Sequence, residues 1–146
     1  MSTAQERVAS RAGFRRHARS RRWDVGSSHA QRKAVGEFGE RVACRYLTAQ
    51  GLTVLDRNWR CPAGEIDIVA KEGDVVVICE VKTRRDARFG TPVEAITATK
   101  ADRLYRLGRL WIGEHDIGWS ALRIDVVAVL CARPGPATVE HLVGVL

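Results

Sequence analysis

Gly64-Glu65-Ile66-Asp67-Ile68-Val69-Ala70, then Lys71-Glu72-Gly73-Asp74, then Val75-Val76-Val77-Ile78-Cys79-Glu80-Val81-Lys82-Thr83, reads as two β-strands around a tight turn. The first run alternates, the second is dominated by β-branched residues, and the glycine between them supplies the backbone freedom a hairpin needs. Pivoting the turn about Glu72-Gly73 sets Asp67 opposite Ile78 and Glu65 opposite Glu80. Opposed residues share a face of the sheet, and side chains alternate along a strand. Glu80 and Lys82 therefore point the same way, with Asp67 diagonal to Glu80 at roughly 7 to 8 Å between backbone positions. Three carboxylates and a lysine are gathered on one side of the sheet.

Like charges opposed on a sheet destabilise it, and a hairpin needs no acids to fold. A cation would resolve the conflict. Carboxylate oxygens, completed by water and phosphate, are the ligands Mg²⁺ prefers, and such a metal can activate water for displacement at phosphorus. Lys82 is placed to orient that water or to steady the developing charge. A solvated face on which Glu and Lys alternate is the plain alternative, as is a structural ion pair between Glu80 and Lys82. Ile68, Val76 and Ile78 argue for cover on both faces, and buried charges need partners.

Upstream, Val35, Phe38, Val42, Ala43, Tyr46 and Leu47 recur at helical spacing, and Gly51 stands where a left-handed cap ends a helix. Glu40 falls at the border of this apolar stripe, from which it can reach over the sheet toward the same cation; a surface glutamate is the alternative. Thr53 to Arg60 is rich in β-formers, and Cys61-Pro62-Ala63-Gly64 is a turn, which makes a three-stranded meander. Downstream of a loop with Gly90 and Pro92, Ala95, Ile96, Leu104, Leu107, Leu110 and Trp111 mark a second amphipathic helix, with Lys100, Arg103, Arg106 and Arg109 on its polar side. Leu122 to Cys131 and Thr138 to Leu146 are further strands. The expected order is αβββαββ, an α/β layer structure with a mixed central sheet flanked by helices.

The charge is uneven. The chain has 146 residues and a formal net charge of +7, from 24 Lys+Arg against 17 Asp+Glu. Residues 1–33 hold nine of the basic and two of the acidic residues, so the remainder carries fifteen of each and is formally neutral. With so little apolar content, residues 1–33 read as a disordered basic arm, and 34–146 as the one domain. Such an arm can bind polyanions by counterion release or be a solvated tail. No apolar run is long enough for a membrane span or a secretory signal, so a cytoplasmic protein with no membrane partner is expected. Cys44, Cys61, Cys79 and Cys131 form no C-x-x-C pair and read as reduced thiols.

The domain resembles the YraN-type bacterial proteins, which look like Holliday-junction resolvases of the restriction-endonuclease-like, PD-(D/E)xK superfamily. The resemblance is carried by Gly36-Glu37-Phe38-Gly39-Glu40-Arg41-Val42-Ala43, Asn58-Trp59-Arg60, Gly64-Glu65-Ile66-Asp67, Glu80-Val81-Lys82-Thr83-Arg84, Pro92-Val93-Glu94-Ala95, Lys100 and Arg123-Ile124-Asp125-Val126. It implies a restriction-endonuclease-like fold and a nuclease centre in which Asp67 and Glu80 hold Mg²⁺ or Mn²⁺, Lys82 assists the attacking water, Glu40 completes a second metal position and the Val81 carbonyl is a further ligand. Ile66 stands where the superfamily pattern has proline. Glu65 matches the family's motif and is assigned a supporting place behind the ligands. Arg84, Arg85, Lys100 and Arg123 match or adjoin family positions and suit phosphate contacts; solvated faces or salt bridges with the acids are the alternative for each.

The expected function is a metal-dependent endonuclease that hydrolyses phosphodiesters in DNA, with branched or structured DNA favoured because no base-reading motif is present and with a homodimer suited to a two-fold substrate. A nucleic-acid-binding or adaptor module that keeps the fold without cutting is the alternative, and a ribonuclease a third option.

Overall fold

A computed structural model describes residues 21–85, 96–131 and 135–145, with side chains in the first helix described from His29 onward. Arg88, Gly90, Pro92 and most of the basic arm lie outside these residues. Helix α1 (Arg21–Ala49) begins well ahead of Ala34, where the apolar periodicity starts. Phe38, Ala43 and Leu47 form its buried stripe. Gly51 ends it at φ 97°, with Leu52 N–H donating to Leu47 O and Gly51 N–H to Thr48 O, while Leu47 and Leu52 are both buried. This is the glycine-terminated C-cap expected at that position.

Strands β1 (Thr53–Cys61), β2 (Gly64–Glu72) and β3 (Val75–Arg84) form the antiparallel meander. Helix α2 (Ala98–Glu114) follows, starting three residues after Ala95 with Thr97 as its cap. Strand β4 (Ala121–Leu130) then pairs parallel with β3, and β5 (Thr138–Leu142) pairs antiparallel with β4. The result is a mixed five-stranded sheet in the order β1-β2-β3-β4-β5, accompanied by two helices among the described residues.

The β2–β3 register differs from the sequence expectation by two residues. Glu72 pairs with Val75 across a two-residue turn, Gly73-Asp74, in which Gly73 takes φ 60°. A glycine with positive φ at the first turn position closes such a hairpin without splaying the strands. Being even, the shift preserves which residues share a face along the paired positions from Ile68 to Glu72. It moves Asp67 from opposite Ile78 to the position opposite Glu80.

Both faces are covered. Phe38 and Leu47 of α1 share one core with Ile68, Val77, Cys79, Val127 and Val129 of the sheet; Leu104, Leu107 and Trp111 of α2 share the other with Ile66, Val69, Val76, Ile78 and Ile124. Two glycines permit the close packing. A β-carbon on Gly39 would collide with the side chain of Thr83, and one on Gly108 would stand 2.8 Å from Ile78 Cγ1. The four cysteines are free, as expected, with Cys79 and Cys131 buried and burial raising the Cys79 thiol's pKa. No helix of the described residues is long and apolar enough to cross a membrane.

Candidate functional site

The site forms where β2 and β3 part. Their paired positions run from the turn to Ile68 opposite Cys79 and stop there. Ile66 packs under α2 and Ile68 under α1, so β2 breaks its alternation at the intervening residue, Asp67. The Asp67 carboxylate turns into the gap and accepts from Val81 N–H, with Oδ2 at 2.9 Å. In a strand, one residue's N–H and C=O point toward the same neighbour. The Val81 carbonyl accordingly faces the β2 side, past the last ladder pair.

Glu80 is the position beside Asp67. It is 7% exposed. Lys82 Nζ lies 3.0 Å from Glu80 Oε2, and Lys100 Nζ lies 2.7 Å from the same oxygen. Lys82 reaches it along the strand, and Lys100 from the first turn of α2, where Thr97 Oγ1 accepts from the Lys100 backbone N–H at 3.1 Å. Burial lowers the Lys100 pKa, but the hydrogen bond and charge of Glu80, reinforced by Asp67, outweigh it and hold the ammonium above the ordinary lysine value. Lys100, expected at a phosphate, thus belongs to the acid cluster itself.

Glu40 approaches from α1, carried there by the close packing of Gly39 on Thr83. Burial raises its pKa; a hydrogen bond from the Asn58 side chain and the charge of Arg57 oppose that rise, while Glu65 and Glu37 add to it. Asn58 has φ 52°, unusual for a residue with a side chain and most readily borne by asparagine and aspartate. In the β1–β2 register it stands opposite Asp67. Asn58 is a site residue for which the sequence suggested no role; a polar residue able to take positive φ inside a strand was the available signal.

Burial, and then the negative charge of Glu80, push the Asp67 carboxyl up to about 7 from an ordinary 3.8, with the Val81 N–H pulling down and Glu40 and Glu65 pushing further up. The charges of Glu40, Glu65 and Glu80 thus all bear on Asp67. Glu65 stays at the exposed margin, where Arg60 Nε donates to it at 2.6 Å. Arg84 and Arg85 follow Lys82 at the end of β3, half-buried. Arg123 is elsewhere. It pairs with Val77's position on β3, five residues from Lys82 or about 16 Å by strand rise. Its guanidinium is engaged by both oxygens of Asp125, at 2.9 and 3.0 Å, and by Glu72 at 2.8 Å. Those carboxylates raise its pKa and take three of its five N–H donors.

Among the described residues no three acidic, histidine or cysteine side chains close up as a ready ligand set. The donors nevertheless suit a hard dication. They are all oxygen, Asp67 is under-compensated enough to hold a proton near neutrality, and the Val81 carbonyl faces the same gap.

The comparisons with known proteins agree on one family. The profile of the uncharacterised protein family UPF0102 matches residues 39–129, which spans every residue of the site. A UPF0102 protein of Kineococcus radiotolerans is 56% identical over 113 residues, covering 77% of this chain and 93% of the relative. One of Beutenbergia cavernae is 56% identical over 112 residues, covering 77% and 95%. One of Streptomyces coelicolor is 51% identical over 122 residues, covering 82% and 94%. With the family profile covering more than half of the chain and relatives this similar matching nearly end to end, the protein belongs to the UPF0102, or YraN, family.

Proposed function

We propose that the chain is a metal-dependent endonuclease with a restriction-endonuclease-like fold, acting on DNA and suited to branched DNA. The reading is carried by one observation. Asp67 and Glu80 stand side by side where two strands part, and Lys82 is 3.0 Å from Glu80. Mg²⁺ or Mn²⁺ at this gap would supply neutralisation of phosphate oxygens and a more acidic water. Asp67, Glu80 and the Val81 carbonyl are the groups to hold it, with Glu40 completing the α1 side. The Lys82 ammonium, fixed by its contact with Glu80, orients the water oxygen that attacks phosphorus as the opposite P–O bond breaks. Asp67, whose carboxyl burial and Glu80 push up to about 7, would serve as a ligand in its deprotonated form. Arg84 and Arg85 continue the strand from Lys82 and are placed to grip the flanking backbone, which gives affinity without reading sequence. A two-fold branched substrate would be met by two copies of the chain.

A nucleic-acid-binding module without turnover is favoured by a different observation: Lys82 and Lys100 already neutralise Glu80. One experiment separates the two. Linear, flapped and four-way DNA are incubated with Mn²⁺ or Mg²⁺ and either the wild type or the Glu80→Gln, Lys82→Ala double variant. The nuclease reading expects cleavage by the wild type and a loss of at least about 100-fold in the variant. Equal cleavage by both proteins would mean contamination and sink the assignment. No cleavage of any substrate, with Mn²⁺ binding that disappears in Asp67→Asn, supports the binding module instead.

A further inference from the structure

Glu80 Oε2 carries two ammonium groups at once, Lys82 Nζ at 3.0 Å and Lys100 Nζ at 2.7 Å. They arrive from different layers. Lys82 lies two residues along the same strand, within the β3–β4 ladder opposite Ala128, so its backbone is fixed beside Glu80. Lys100 crosses from the first turn of α2, ahead of the residues that pack that helix down: Leu104, Leu107 and Trp111. Its side chain is partly open to solvent, and a lysine stem of four methylenes can swing without moving the helix.

A dication that takes Glu80 as a ligand competes for the charge these ammoniums neutralise. Bringing it onto the same carboxylate sets like charges within a few ångströms of each other in a site where Glu80 is almost wholly buried. One ammonium must yield; the two stems are alike in length and nearly alike in exposure, 22% for Lys82 and 28% for Lys100, so what separates them is that Lys82 shares the strand of Glu80 whereas Lys100 enters from α2 and can withdraw toward that layer.

We infer that Lys100 is an exchangeable ammonium, which holds Glu80 until a divalent cation takes that carboxylate and then turns to a phosphate oxygen of the substrate. This rests on the reading of the gap as a metal centre and adds to it a positioning residue and an order of events. It also makes a demand that a merely structural lysine would not meet. Removing the Lys100 charge must move metal affinity and DNA affinity in opposite directions.

The test is a calorimetric titration of the full-length chain with Mn²⁺ alone, for the wild type, Lys100→Met and Lys100→Arg, alongside binding of four-way DNA in Ca²⁺. Lys100→Met is expected to bind Mn²⁺ about tenfold more tightly, as one competing charge is gone, and the DNA about tenfold more weakly. Lys100→Arg keeps the charge and is expected to stay within about threefold of wild type on both. Lys100→Gln serves as a second neutral variant, so that a folding defect in one does not decide the result. Unchanged or weaker Mn²⁺ binding by both neutral variants overturns the inference. If that happens while Mn²⁺ binding is still lost in Asp67→Asn, the metal centre stands and only the exchange of Lys100 fails. No Mn²⁺ binding by any of these proteins overturns both.

Discussion

Two carboxylates are built into the same sheet two strands apart, on β2 and β4, and they are treated in opposite ways. Asp125 on β4 is fully buried, and every direction around it is answered: both oxygens by Arg123, Oδ2 by His141 Nε2 at 2.7 Å, and Oδ1 by Gly144 N–H at 3.0 Å. Tyr46 of α1 packs edge-on against the His141 ring. Asp67 on β2 accepts from one backbone N–H, has Glu80 beside it, and is driven up to about 7. A carboxylate with this many partners is a rivet, tying β5 to the sheet through His141 and Gly144. A carboxylate beside other acids is held in an unfavourable state, which is the pattern the proposed metal site would account for.

The sharpest way to break the comparison is Asp125→Ala. It leaves the Arg123 guanidinium without its two-oxygen partner and removes the side-chain tie from β4 to His141 of β5. A cost of about 3–5 kcal/mol follows for breaking a buried pair, which for a domain of this size lowers Tm by more than about 10 °C. A melt within a few degrees of wild type would show that Asp125 is no rivet.

Asp67→Asn should act in the other direction. The folded chain binds the Asp67 proton more tightly than the unfolded chain, because the carboxyl is raised from 3.8 to about 7. Its contribution to stability is fully present below about pH 4 and is lost as pH rises through 7. At pH 8, without divalent cation, the neutral amide should therefore stabilise the fold by about 1–3 kcal/mol, and the gain should vanish near pH 4. Denaturant unfolding at the two pH values checks this. A variant less stable than wild type at pH 8 would place Asp67 with the structural carboxylates. Gaining stability on its removal is the trade-off expected of Asp67 under the proposed role as a metal ligand.

The two regions also differ in how far they could be read from residues alone. Alternation and turn chemistry are local, so the meander, the glycine cap at Gly51 and the convergence of Asp67, Glu80 and Lys82 were all legible. The two-residue error in register did no harm, since a strand repeats every two residues. The helix start was less legible, because apolar periodicity reports where α1 meets the sheet and is silent about the turns before it. Contacts between layers could not be read. Lys100 is twenty residues from Glu80 and meets it only because α2 crosses over the sheet; its place on a basic helix face pointed to phosphate. Arg123, on a strand, was expected at phosphate from the family positions alone, yet Glu72 and Asp125 claim it once β4 lies beside β3. Asn58 needed backbone geometry, because φ 52° cannot be seen in a string that otherwise reads as a strand.

Glu65 sharpens the comparison by the smallest effect. Its pair with Arg60 is short, but the side chains are 41% and 77% exposed, so the pair contributes little to the fold in spite of its geometry. Glu65→Gln should change unfolding free energy by less than about 0.5 kcal/mol. Its charge nevertheless reaches the gap, since it helps to raise both Asp67 and Glu40. The Asp67 titration midpoint, followed by carboxyl-carbon NMR, should therefore move below its wild-type value in the variant. A fold left untouched while Asp67 titrates lower would place Glu65 in the electrostatics of the site and outside the framework that Asp125 holds. A midpoint that does not move would reduce Glu65 to surface charge and leave Glu80 and burial as the source of the stress on Asp67.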